Sequence, residues 1–135
     1  MTRLARHAAA LLVCLPVAVS ACGGGDGKPG YCADRSQLES SIKDLTNFNP
    51  AAGLSGLEAQ LRTIQSNANA LVASARADFP SETNAIKTSV DALSSDIRTL
   101  PSNPSATQIA SLAANASSVV SSVSAFVDAT KSKCD

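Results

Sequence analysis

Asp78-Phe79-Pro80-Ser81-Glu82 is the stretch on which the fold turns. Proline has a fixed φ and no N–H, so Pro80 suits the first position of a helix, and Glu82 then lies near that helix's positive end. The residue before a proline avoids the helical region, which makes Phe79 the end of the preceding helix. On this reading the chain reverses here. The rival is one helix kinked at Pro80. At 3.6 residues per turn the apolar stripe from Leu54 stays in phase through Phe79 to Leu100, and those 47 residues would span about 70 Å. An interior proline costs about 3 kcal/mol or more, which favours the reversal.

Working outward, the same spacing recurs on both sides. Leu54, Leu57, Leu61, Ile64, Ala68, Leu71 and Ala75 alternate in threes and fours before the joint, and Ile86, Val90, Leu93, Ile97 and Leu100 follow it. Asn47-Phe48-Asn49-Pro50 and Gly53 break the chain upstream, and Pro101-Ser102-Asn103-Pro104 breaks it downstream. Beyond these breaks lie a short segment with Leu38, Ile42 and Leu45, closed by Phe48, and a long one from Ile109 to Val127. The long segment carries the broadest apolar face, through Leu112, Ala116, Val119, Val120, Val123 and Phe126. Capping pairs are expected at Asp34 and Gln37, Ser55 and Glu58, and Ser105 and Gln108. No strand alternation is present. The expected fold is all-α, a four-helix antiparallel bundle running up-down-up-down, with three helices and a long kinked one as the alternative.

At the N-terminus Arg3 and Arg6 precede a mainly apolar run from Ala8 to Val19, the order of a secretory signal. That run is shorter than the roughly 20 apolar residues of a spanning helix and carries Pro16. Val19-Ser20-Ala21-Cys22 resembles the lipobox of bacterial lipoproteins, usually Leu-Ala/Ser-Gly/Ala-Cys, with Val19 in place of the commoner Leu. The resemblance implies that Cys22 is thioether-linked to diacylglycerol and becomes the N-terminus after cleavage. Several acyl chains anchor stably where one would not. Ordinary secretion with cleavage after Ala21 is the alternative. Gly23 to Gly30 then forms a flexible tether of about 16 Å average reach. The chain divides into a signal at 1–21, a lipidated Cys22 with its tether to 30, and a helical domain at 31–135.

Cys14 falls in the signal and Cys22 takes lipid, which leaves Cys32 and Cys134 near the two ends of the body in an oxidising setting. A disulfide between them is expected. It closes a loop of about 100 residues, nominally worth about 4.7 kcal/mol by loop-closure entropy. Both topologies above bring these residues together. Metal binding by two isolated thiols has little support, and no metal or cofactor is expected.

Removing residues 1–21 leaves nine Lys and Arg against eleven Asp and Glu. There is no basic field for nucleic acid, and the few aromatics (Tyr31, Phe48, Phe79, Phe126) offer no base-stacking platform. The core is expected to be Leu, Ile, Val and Ala. His7 leaves with the signal, so no histidine remains as a general base. Ser105, Ser111, Ser117 and Ser121 have no lysine nearby in sequence, and Asp91 and Asp96 read as outward helix positions. No catalytic residue is nominated.

The body, opened by Tyr31-Cys32-Ala33-Asp34-Arg35 and closed by Cys134, resembles small helical lipoproteins of high-GC bacteria. That likeness implies an address and confers no activity. The expectation is a non-catalytic envelope protein on the extracytoplasmic face, tied to the membrane by its lipid and acting as a structural or protein-interaction module. A binding module for a lipid or small apolar ligand is the alternative.

Overall fold

A computed structural model describes residues 27–47, 49, 51 and 53–135. The expected signal with Cys14, the expected lipid site Cys22, the first part of the expected tether and Phe48 lie outside the described residues. Four helices are described: α1 (Tyr31–Thr46), α2 (Gly53–Ala75), α3 (Pro80–Thr99) and α4 (Ala106–Cys134). No strand occurs among the described residues.

The chain reverses at Pro80. Phe79 stands outside the helical region at φ −133° and ψ 61°, and Pro80 opens α3. The Thr83 amide and hydroxyl both donate to the Phe79 carbonyl, at 3.0 and 2.8 Å. Further along, Gln65 Nε2 donates to Ser94 Oγ at 2.7 Å across a separation of 29 residues. In a continuous helix those residues would stand about 43 Å apart, so the long kinked helix is excluded. Ser74 Oγ donating to Asp34 Oδ2 (2.6 Å) ties α2 to α1. Asn115 Nδ2 donating to Asp96 Oδ2 (2.6 Å) ties α4 to α3. Each helix packs on its chain neighbours, and α1 against α4 closes the ring along its most sparsely packed seam.

One expected cap forms in full and two do not. Ser105 Oγ accepts from the Gln108 amide (3.2 Å) while Gln108 Oε1 accepts from the Ser105 amide (2.8 Å). α1 begins three residues before the expected cap: Gly30 is its N-cap, and the Cys32 and Ala33 amides donate to the Pro29 and Gly30 carbonyls. Asp34 therefore lies in the first turn, where its carboxylate suits the positive helix end. Ser55 is likewise inside α2, which starts at Gly53 with φ +66°, a left-handed conformation open to glycine at little cost.

The core follows the periodic stripes. Leu38 and Ile42 meet Leu61, Ile64, Ala68, Leu71 and Ala75 of α2, Ile86, Val90, Leu93 and Ile97 of α3, and Val119, Val123 and Phe126 of α4. A fully buried side chain of this kind contributes about 1.5–3 kcal/mol, whereas a serine or threonine in a helix costs about 0.7 kcal/mol at most. Packing thus dominates propensity in these Ser-rich helices. The apolar face of α4 is used over less of its length than its pattern suggests. Ile109 is 53% exposed, and Leu112 and Ala116 are half-buried. Length explains this: 16 residues give α1 about 24 Å, against about 44 Å for the 29 of α4. The first turns of α4 run beyond the reach of α1.

Aromatic residues contribute more than their number suggests. Tyr31, Phe79 and Phe126 form an edge-to-face triangle with centroid separations of 5.6, 6.3 and 5.5 Å. The three come from the start of α1, the α2–α3 joint and the last third of α4. An up-down-up-down path places all of these at one end of the bundle.

Candidate functional site

That aromatic end is where the body is fastened. Cys32 lies in the first turn of α1 and Cys134 ends α4; both are buried, with sulfurs 2.03 Å apart and Cα atoms 5.4 Å apart, at disulfide distance. The expected pairing is thus brought together. Lys28, the second described residue, donates from Nζ to the Cys134 carbonyl at 2.8 Å. The segment leading into α1 from Lys28 therefore lies beside the bridge.

Arg35 completes the fastening. One turn after Cys32, its guanidinium faces α4 and is only 11% exposed. It donates from Nη1 to Thr130 Oγ1 (3.3 Å) and from Nη2 to Asp135 Oδ1 (2.6 Å). Glu39, one turn further along α1, stands 3.8 Å from its Nε. Thr130 is fully buried, and its hydroxyl donates to the Phe126 carbonyl (2.8 Å), leaving a lone pair for Arg35. The hydrogen bond from Arg35 holds the Asp135 carboxyl below its ordinary value of 3.8; burial opposes this, and Lys131 and Lys28 add attraction.

Away from this end, four of the polar side chains singled out in the sequence, Asp91, Asp96, Ser105 and Ser111, are engaged structurally. Asp91 accepts from Lys87 Nζ at 2.7 Å on the surface of α3. Asp96 receives Asn115 and, at 3.4 Å, the Ser111 hydroxyl. Ser105 caps α4. No group of three or more His, Cys, Asp and Glu stands close enough to hold a metal among the described residues. Cys22 lies outside the described residues.

The α1–α4 seam widens below Arg35 into a groove of about 340 Å³, with Ile42, Val120, Val123 and Val127 on its walls and Glu39, Lys43 and Asp128 at its rim. At the end remote from the bridge, Ile109 projects from the first turn of α4. By length and composition α4 is also apolar enough to cross a membrane, although its buried stripe packs against the other helices.

Sequence reasoning found Cys32 and Cys134 from cysteine placement. It missed Lys28, Arg35 and the aromatic triangle. Positions 32 and 35 are one helical turn apart, so a reading that joined Cys32 to Cys134 had the signal needed to place Arg35 on the same seam. Searches against protein-family models, curated proteins and solved structures found no match to this chain.

Proposed function

We propose that this chain is a non-catalytic lipoprotein of the bacterial envelope, held by acyl chains on Cys22, whose helical body presents a contact surface to another protein. The supporting observation is polarity along the bundle. The bridge, the Arg35 cluster and the Lys28 contact gather at the end where the expected tether enters, while Ile109, the most exposed large apolar side chain among the described residues, is at the other. The 25 residues from Ile109 to Cys134 set these ends about 38 Å apart. A body hung from one end offers the other outward.

A photo-reactive residue at position 109, compared in intact cells with one at Lys131, tests this reading. Cross-linking to a discrete protein from position 109 and not from 131 is expected. Equal yields from both, or none from 109 under any growth condition, would contradict it.

A second reading rests on the α1–α4 groove, whose valine-lined walls suit an apolar ligand. Native mass spectrometry of protein purified from its own cells discriminates: a bound apolar molecule of constant mass supports this reading, and ligand-free protein contradicts it.

A further inference from the structure

The four seams of the bundle are not closed alike. α1 and α2, α2 and α3, and α3 and α4 are each joined by a stretch of chain, and each pair is tied again by side chains. Asn67 Nδ2 donates to the Gln37 carbonyl (3.3 Å) on the first seam, Gln65 to Ser94 on the second and Asn115 to Asp96 on the third. α1 and α4 are the two ends of the helical body, so no loop joins them. Their seam, the most sparsely packed, is held by the bridge, by Lys28 and by Arg35, all at the start of α1.

Past Arg35 the fastening stops. Glu39 and Lys43 of α1 and Asp128 of α4 stand at the rim of the groove. No hydrogen bond or ion pair among the described residues crosses from α1 to α4 there. Along this stretch Ile42 and Val123 are buried, whereas Leu45, Val120 and Val127 are only partly so. Parting the seam here therefore uncovers comparatively little apolar area, and apolar area is what holds two helices together. The Pro80 joint and the bridge share the opposite end with the packed rings of Tyr31, Phe79 and Phe126. A rotation of about 15° about that end, carried along the roughly 24 Å of α1, moves its far end by about 6 Å.

We infer that the α1–α4 seam is a gate. Asp34 and Gln37 keep α1 on α2 through Ser74 and Asn67, so the α1–α2 hairpin moves as a unit. It turns on the α2–α3 seam, which Gln65 and Ser94 keep shut, and the groove widens at the end remote from the bridge. The bridge and Arg35 are the stop. They confine the opening to a wedge that narrows toward Cys32, and without the bridge the parting runs the length of α1. Open and closed forms are two states of one folded body, so a change at the stop shifts their populations without unfolding a helix.

Distances between paired spin labels on keto-bearing residues, which leave the cysteines untouched, test the assignment in the full chain. The exposed pairs are Thr46 with Ser121 across the open part of the seam, Ala33 with Lys133 beside the bridge, and Glu58 with Arg98 across α2 and α3. In the bridged protein the first pair is expected to show a second distance about 6 Å longer, and the other two a single distance. The double variant Cys32→Ser, Cys134→Ser should bring a longer distance to Ala33 and Lys133. It should also raise the open fraction at Thr46 and Ser121 about fivefold or more, with helix content and the Glu58–Arg98 distance unchanged. Gln65→Leu should instead broaden the Glu58–Arg98 pair. A single narrow distance at Thr46 and Ser121 in the bridged protein, equal broadening of all three pairs, or loss of helix in the double variant would overturn the proposal. None of these results depends on lipid at Cys22, on a partner at Ile109 or on an occupant of the groove.

Discussion

Arg35 on α1 and Asp135, just past the end of α4, meet at 2.6 Å across 100 residues of chain. This contact lies beside the bridge and gives the fastened end a dependence on pH. Because the folded carboxyl titrates below its ordinary value, its contribution is complete above that value and is lost as pH falls through the folded one. Asp135→Asn should therefore unfold at a lower temperature than the unaltered chain near neutrality. The gap should close as pH falls below 3.8 and through the folded carboxyl's lowered titration. Melting curves across this range, followed by circular dichroism, check the point.

Phe126 is fully buried, and its ring meets both Tyr31 and Phe79. Truncation there leaves a cavity where three segments converge. Phe126→Ala is expected to cost about 3–5 kcal/mol, measured by urea unfolding. Ile109→Ala, at the exposed end of the same helix, should change stability by no more than about 0.5 kcal/mol.

The Cys32–Cys134 bridge joins residues 102 apart, so its main effect is on the unfolded chain. Cys134→Ser, or reduction of the native protein, should lower stability by about 2–5 kcal/mol while leaving the helix content in place. Peptide mapping without reductant should recover the two cysteines in one linked fragment.

Much of this fold could be read from the residues because its cues are local. Pro80 fixed the reversal through its own backbone, and Pro101 to Pro104 marked the turn before a Ser105–Gln108 cap that forms as expected. Apolar spacing named the buried face of each helix. It did not show how far along α4 that face would be covered, because coverage depends on the length of α1. The cap expected at Asp34 failed for a related reason. The bridge and the aromatic packing of Tyr31 favour helix from the first turn, and Asp34 is drawn instead to Ser74 on α2. Arg35 and Lys28 depend on contacts between elements, which spacing along one element does not encode.

The lipid anchor is tested most directly by the intact mass and fractionation of the mature protein beside its Cys22→Ala variant. The account predicts a membrane-bound protein whose N-terminal residue is Cys22 carrying acyl mass, and a variant released from the membrane fraction. An unacylated mature chain, or a variant that stays with the membrane as fully as the parent, would contradict it.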